Sequence, residues 1–164
     1  MKAMGIHRTL LRTARAQDRD AVTVVTLAAY EEYAAYLPDW AWQMYREDII
    51  ATIQDAGDNE CIVAEQNDEI VGSVLLLKSD EGVPEVRLLA VTPSARGQGI
   101  GAALMRECIR RARQAGYSAL TLHTTDAMAV AMRMYEKMGF VRAPELDFSP
   151  IEGAVIKGYR LALT

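Results

Sequence analysis

The segment 91-VTPSARGQGIG-101 decides how this chain is interpreted. It joins an apolar run to the start of an amphipathic helical pattern, and its three glycines let the backbone approach a ligand without interference from a Cβ atom. The N–H groups that open the following helix have no intrahelical acceptors, and the positive end of the helix dipole favours an anion. The segment therefore predicts a phosphate-binding loop.

Two common phosphate loops do not fit this segment. A nucleoside-triphosphate loop ends in Gly-Lys followed by Ser or Thr, and residues 91–101 contain no lysine. A dinucleotide fingerprint has G-x-G-x-x-G spacing early in a βαβ unit, whereas the spacing from Gly97 is G-x-G-x-G and lies late in the chain. We therefore expect neither a nucleoside triphosphatase nor a dinucleotide fold.

Two motifs carry a family resemblance. Arg96-x-x-Gly99-x-Gly101, which follows a hydrophobic strand and Pro93, resembles the acyl-CoA pyrophosphate loop of the GNAT superfamily of N-acetyltransferases. The segment 131-AMRMYEKMGF-140 resembles the family's A-x-x-x-Y-E-K-x-G-F helix end. The resemblance implies the GNAT fold, an α/β (α+β) class in which about four helices flank a central mixed sheet. It also implies a single N-acetyltransferase domain over residues 1–164, with its core from about residue 8.

Periodicity and turn residues predict the element order β-α-α-β-β-β-α-β-α-β-β, which matches the family layout. The expected strands are Thr9–Thr13, Cys61–Glu65, Ile70–Leu77, Glu85–Val91, Ser118–Thr124 and Ile156–Leu163, with extended chain after Phe140. The expected helices run from Asp18, as N-cap, to about Tyr33, and over Asp39–Ala56, Gly99–Ala115 and Ala127–Met138.

The resemblance implies the residues that bind the donor. The CoA pyrophosphate is expected to lie against main-chain groups of Arg96, Gly97, Gln98, Gly99, Ile100 and Gly101, with side-chain identity mattering least at Gln98. On the preceding strand, a distortion is expected to free backbone groups of Leu89, Ala90 and Val91 for the pantetheine arm, and one N–H to polarise the acetyl carbonyl. Without the resemblance, a strand-to-helix turn and a buried strand would explain the same residues.

Tyr135 is the first catalytic candidate. In the resemblance its hydroxyl donates a proton to the departing CoA thiolate. A core tyrosine is the alternative, because Tyr135 shares a helical stripe with Met128, Ala131 and Met138. The chain also departs from the family at Met128, where an asparagine commonly contacts the pantetheine arm. Polar residues at the strand end, Thr124, Thr125 or Asp126, are candidates to supply that contact, although Asp126 also suits a helix N-cap.

Glu85 is the second catalytic candidate and a substrate-binding candidate. Strand alternation places it on one face with Arg87 and Leu89, where a carboxylate can bind an ammonium or take its proton through water. Family enzymes carry a glutamate at this position, whereas a pair with Arg87 or solvation is the alternative. His123, near the end of the following strand, is expected to be a packed or capping residue.

The first two predicted helices are rich in aromatic residues, namely Tyr30, Tyr33, Tyr36, Trp40, Trp42 and Tyr45. Helix packing explains such a cluster, and family members use the same region to cover the acceptor. Tyr36 and Trp40 are the substrate-binding candidates, because Pro38 is expected to place them in a loop.

Charge, hydropathy and cysteine content limit the classes of function that fit this chain. A net charge of −4 is unlike that of a nucleic-acid-binding protein, and no run of about 18 apolar residues predicts a membrane span. Cys61 and Cys108 form no C-x-x-C pair, so we expect no metal and no disulfide, but thiols in a reducing, cytoplasmic compartment. The resemblance and the frequency of two-fold assemblies favour a homodimer.

Together these observations predict an N-acetyltransferase that transfers the acetyl group of acetyl-CoA directly to a primary amine of a small molecule or peptide. Transfer is expected through a tetrahedral intermediate rather than an acyl-enzyme, because neither cysteine lies in a nucleophile motif. Two alternatives stay open: a non-catalytic acyl-CoA-binding sensor, and an acetyltransferase acting on protein N-termini or lysines.

Overall fold

The computed structural model describes residues 8–57, 59–78 and 82–163, in which eight strands and four α-helices follow one another. The strands are β1 Leu10–Thr13, β2 Glu60–Gln66, β3 Glu69–Leu77, β4 Glu85–Val91, β5 Ala119–Thr124, β6 Val141–Arg142, β7 Phe148–Ile151 and β8 Ala154–Ala162. The helices are α1 Arg19–Tyr30, α2 Asp39–Gln54, α3 Ile100–Gln114 and α4 Ala129–Lys137.

The strands form a mixed sheet, as predicted. Hydrogen-bonded neighbours follow the order β1-β2-β3-β4-β5-β8-β6, and β7 also pairs with β8. The pair β4–β5 is parallel, whereas β1–β2 and β5–β8 are antiparallel. Within the described ranges, no helix is both long enough and apolar enough to cross a membrane.

Internal contacts divide the chain into two compact units. The first comprises the chain up to Val74 together with Leu88–Leu104, and the second comprises Leu75–Arg87 together with the chain from Met105. β3, β4 and α3 therefore each contribute residues to both units. The expectation of one functional domain stays a prediction.

The first unit is built on α1, α2, β1, β2 and the phosphate-loop segment. α1 buries one stripe of side chains at helical spacing, Val22, Val25, Thr26 and Ala29, because an amphipathic helix turns its apolar face inward. The β2–β3 hairpin closes through Asn67 and Asp68, whose φ angles of 50° and 64° fit a tight two-residue turn.

The second unit contains most of α3 and the strands β5 to β8. Met105, Cys108 and Ala112 of α3 are completely buried, as are Leu120 of β5 and, nearly so, Leu122. Arg106, Arg110 and Arg113 are exposed on the opposite side of α3, and Arg110 pairs with Glu107. These arginines therefore form a solvated helix face.

The structure corrects three local predictions. α1 ends at Tyr30 and continues as a 3-10 helix over Glu31–Tyr36, so the predicted end at Tyr33 was too late. Asp18 makes no capping bond to α1, because its carboxylate accepts bonds from the Arg15 N–H at 2.7 Å and from Arg12. The predicted order has two strands after the last helix, whereas the structure has three, and the additional strand β7 lies in the segment predicted only to be extended chain.

Candidate functional site

The phosphate-loop segment adopts the conformation that its glycines predict. Gly97 and Gly99 have φ angles of +80° and +76°, a region that residues with a Cβ rarely adopt. A Cβ placed on either glycine would meet no atom within 4 Å, so the space beside the loop is open. The N–H groups of Ile100 and Gly101 open α3, and helical geometry gives them no intrahelical acceptor.

The loop is anchored by side chains on both sides of Gly97. The side-chain amide of Gln66, a buried residue at the end of β2, donates to Gln98 Oε1 at 2.8 Å and to Thr9 Oγ1 at 2.8 Å. On the other side, Arg96 pairs with Glu32 at 3.2 Å. The Gln98 side chain is thus a structural anchor, which the sequence did not indicate, and the loop is held in place before any ligand binds.

The strand that leads to the loop carries a distortion. Leu88 of β4 has φ +54°, which is unusual for a residue with a Cβ and costs on the order of 1–3 kcal/mol. The parallel pairing of β4 with β5 comprises Glu85 with Thr121 and Val86 with Leu122, two positions before Leu88. Leu89, Ala90 and Val91 follow directly, so the distortion immediately precedes the residues that the resemblance implies for the pantetheine arm.

The aromatic cluster of the first unit divides into two groups. Tyr30 packs edge to face on Tyr33 and Tyr45, with ring centroids 5.7 and 6.1 Å apart, and Tyr45 packs on Trp42 in the same way. These four rings join α1 to α2, and helix packing explains them. The remaining two rings of the cluster, Tyr36 and Trp40, take no part in this packing.

Tyr36 and Trp40 expose 70% and 58% of their surface, respectively. Their predicted loop position was wrong: Tyr36 ends the 3-10 helix and Trp40 lies in the first turn of α2. The error arose because Pro38 is the N-cap of α2, where a proline starts the helix rather than breaking it. Two exposed aromatic rings on regular elements are nevertheless available to contact a ligand.

In the second unit, Glu85 lies beside His123. Glu85 Oε1 is 2.9 Å from His123 Nδ1, and His123 Nε2 is 2.9 Å from the Leu146 carbonyl oxygen. The partner of Glu85 is thus His123, whereas the sequence had suggested Arg87 or solvent. The strand register explains the pair, because Glu85 is opposite Thr121 and alternation brings His123 to the same face.

The pKa of His123 is raised, chiefly by the hydrogen bond with Glu85. Burial and the charge of Arg87 act in the opposite direction, and the Leu146 carbonyl adds to the increase. Both ring nitrogens face an acceptor, and an imidazole can satisfy two acceptors only when both nitrogens carry a proton. The site therefore favours the imidazolium form, and the edge of the Phe148 ring packs against it at 5.3 Å between centroids.

Tyr135 and Thr124 are the other polar candidates of this unit. Tyr135 is buried on α4, and its ring packs on Phe140 at 6.0 Å between centroids. Thr124, the last residue of β5, is 2% exposed, and its hydroxyl oxygen has no hydrogen-bond partner among the described residues. A buried hydroxyl without a partner is uncommon, and bound water or a ligand can supply the missing partner.

The structure does not confirm Asp126, which lies close to Met128, as a helix N-cap. Asp126 makes no capping bond and instead pairs with Lys157 Nζ at 2.7 Å. Met128 is half-buried and is the N-cap of α4. Because its side chain is apolar, α4 has no polar side chain at its N-cap.

The two cysteines are poorly suited to act as nucleophiles. Burial raises the pKa of the Cys61 thiol to about 11, so the thiol is protonated at neutral pH. Cys108 is completely buried in α3. A thiolate is the reactive form, and Cys61 does not provide one.

Comparisons with known proteins agree with the motifs. The family model described as "Acetyltransferase (GNAT) family" matches residues 26–140. Human N-acetyltransferase 8B is 37% identical over 91 residues, which cover 52% of this chain and 40% of that protein. The chain spans less than two thirds of the length of this relative and of the next two curated relatives.

Two solved structures have the same fold. A putative GNAT-family acetyltransferase from Desulfovibrio desulfuricans superposes with a TM-score of 0.73 at 20% identity, over 96% of this chain and 100% of that one. A PaiA N-acetyltransferase from Thermoplasma acidophilum, solved in complex with coenzyme A, has a TM-score of 0.76 at 17% identity, over 94% and 99% of the two chains.

Proposed function

Because the chain belongs to the acetyltransferase (GNAT) family, we propose that it transfers the acetyl group of acetyl-CoA directly to a primary amine. The observation that carries the proposal is the loop of residues 96–101, which is preorganised, open and located at the N-terminus of α3. Neighbours of the same fold are complexed with CoA or acetyl-CoA, which supports the same donor here.

In the proposed reaction, main-chain N–H groups of residues 96–101 bind the CoA pyrophosphate. Hydrogen bonds to a charged partner contribute about 1.5–3 kcal/mol each, and the anchors on Arg96 and Gln98 reduce the ordering cost of forming them. Main-chain groups of Leu89, Ala90 and Val91 hold the pantetheine arm, and an N–H of this segment polarises the acetyl carbonyl. The Thr124 hydroxyl is the polar group that takes the place of the family's asparagine.

We assign proton transfer to two residues. Tyr135 gives its hydroxyl proton to the CoA thiolate as the tetrahedral intermediate collapses, and Glu85 receives the proton of the attacking amine, directly or through water. Tyr36 and Trp40 contact the acceptor, a small molecule or a peptide, through their exposed rings. A homodimer and a cytoplasmic location stay predictions.

The proposed role of the loop in CoA binding is tested by comparing two glycines that have similar backbone conformations. Gly99 and Gly116 have φ angles of +76° and +87°, and a Cβ on either would meet no atom within 4 Å. Alanine at either position therefore costs a similar 1–2 kcal/mol of backbone strain. We expect Gly99→Ala to weaken CoA binding at least about tenfold, since its methyl group occupies space assigned to phosphate, and a tenfold loss corresponds to about 1.4 kcal/mol.

Calorimetric titration of CoA into both variants decides the outcome. Gly116→Ala, at the end of α3, is expected to change the CoA Kd less than about twofold while lowering Tm as much as Gly99→Ala does. Equal CoA Kd values for the two variants would contradict the proposal that this loop binds the pyrophosphate.

A further inference from the structure

His123 has no part in the proposed reaction, yet both of its ring nitrogens lie 2.9 Å from an oxygen acceptor. Its side chain is 23% exposed and that of Glu85 is 31% exposed, so the pair lies at the surface without being freely solvated. A hydrogen bond in such a position is screened less than one in water, and it restricts both side chains.

The acceptor that holds the far side of the imidazole is rigid. The Leu146 carbonyl belongs to the 3-10 turn Pro144–Leu146, and the next residue, Asp147, accepts two bonds from Arg142 at 2.8 and 2.7 Å. Asp147 also accepts the N–H of Gly158 in β8 at 2.7 Å. The turn is thus tied to two strands, and the direction of the Leu146 carbonyl is fixed.

We propose that His123 is a positioning residue for Glu85: the Leu146 carbonyl holds its Nε2, and its Nδ1 fixes Oε1 of Glu85. Glu85 then receives the acceptor's proton at its second carboxylate oxygen, Oε2. This inference rests on the proposed function, because it assigns Oε2 a proton that acetyl transfer releases. The N–H bond of the amine breaks, and an O–H bond forms on Glu85.

The charges around the ring are consistent with this role. β4 supplies Glu85 and Arg87, and Asp147 in the turn is already engaged by Arg142. On the β8 side, Lys157 is paired with Asp126. The carboxylate of Glu85 is therefore the charge that holds the ring in its protonated form, and the raised pKa of His123 has Glu85 as its largest cause.

The first experiment follows the titration of His123 by NMR in the full chain. We expect the wild-type imidazole to titrate at higher pH than the imidazole of Glu85→Gln, because a neutral amide cannot stabilise the imidazolium as a carboxylate does. Thr121→Val is the matched control: Thr121 lies on the same strand face and bonds the Pro84 carbonyl. It is expected to leave the titration unchanged. Equal titration in wild type and Glu85→Gln would overturn the proposal.

The second experiment uses two substitutions, each of which places an N–H near one of the two ring nitrogens of His123. Asparagine places its side-chain N–H near the position of Nδ1, whereas glutamine places it near Nε2. We expect His123→Ala to lower kcat about 10- to 100-fold with little change in KM for acetyl-CoA, as misplaced catalytic groups do. His123→Asn should recover most of that loss, and His123→Gln should recover little.

The two experiments separate failure of the inference from failure of the proposed function. If His123→Ala keeps the wild-type kcat, or glutamine rescues as well as asparagine, the positioning role is wrong although the enzyme is active. If no amine is acetylated by the wild-type chain, the proposed function is wrong, and the positioning role in that reaction falls with it. The NMR comparison would then still report whether Glu85 and His123 form a pair.

Discussion

Tyr135 is the residue at which the chemistry and the packing of the proposed site can be separated. Its ring packs on Phe140, and phenylalanine keeps that ring while removing the hydroxyl. We expect Tyr135→Phe to lower kcat about 10²- to 10⁴-fold, the usual contribution of general acid catalysis, with CoA affinity changed little. Steady-state kinetics together with calorimetry checks this. Full turnover would leave Tyr135 as a core residue.

At the residue scale, the sequence identifies groups that act within one short segment. Arg96 to Gly101 and Tyr135 could be proposed from the sequence because glycine spacing and a local motif single them out. The pair of Glu85 with His123 joins residues 38 positions apart, and that of Gln66 with Gln98 joins residues 32 positions apart. Such pairs depend on strand register and loop packing. The one available signal was alternation, which puts Glu85 and His123 on one sheet face only after the β4–β5 register is known.

At the element scale, an ion pair ties β1 to the start of α1. Asp18 accepts bonds from Arg12 at 2.7 and 3.2 Å, and Arg12 also contacts Glu65 of β2 at 2.9 Å. We expect Asp18→Asn to cost about 1.5–3 kcal/mol, because it removes the charge from a buried network. For a chain of this size the loss corresponds to a fall in Tm of roughly 3–12 °C. Asp126→Asn, in the exposed pair with Lys157, is the control, expected to cost less than about 0.5 kcal/mol.

The same pair gives the fold a pH dependence of known sign. The bonds from Arg12 lower the pKa of Asp18 to about 2, below its ordinary value of 3.8. The unfolded chain therefore binds the proton more readily, so the stabilisation is present above about pH 4 and is lost as pH falls towards 2. We therefore expect the difference in Tm between wild type and Asp18→Asn to become smaller as the pH is lowered from 6 to 2.5. A constant difference in Tm at every pH would contradict this role of Asp18.

Elements were predicted well where the hydrophobic period is strong. β4 has the predicted bounds, and α2 begins at the predicted residue. The helix-to-3-10 change after Tyr30 was missed, because both forms continue the same near-helical spacing of side chains. β7 was missed because Phe148–Ile151 is short and contains a proline, and its pairing with β8 is a tertiary contact.

At the scale of the whole molecule, two local motifs indicated the family and the order of elements indicated the mixed sheet, whereas neither indicated the acceptor. Two exposed rings, Tyr36 and Trp40, and one carboxylate, Glu85, are compatible with many amines. Specificity depends on the detailed shape of an acceptor site, and shape is not encoded in periodicity. The donor could be proposed from the sequence because backbone groups are expected to bind its pyrophosphate, and their requirement for glycine is visible in the sequence.

Both an enzyme and a CoA-binding sensor must bind CoA, so the first step in distinguishing them is to test CoA binding by the whole chain. A ligand that binds the folded state stabilises it by about 2.7 kcal/mol at 100 times its Kd, so CoA should raise Tm by roughly 5–11 °C. Pantetheine, which lacks the pyrophosphate, is the control ligand and should raise Tm far less at equal concentration, since it cannot engage residues 96–101.

The same preparation is then supplied with acetyl-CoA and a panel of small amines and peptides, with release of free thiol as the readout. Stabilisation by CoA with saturable thiol release supports the acetyltransferase, and competition between peptides and small amines assigns the acceptor class. Stabilisation without thiol release from any acceptor supports the sensor, in which the phosphate loop is retained but Glu85 and Tyr135 transfer no proton. Equal stabilisation by pantetheine would contradict both readings, because each requires the pyrophosphate to be bound by the glycine loop.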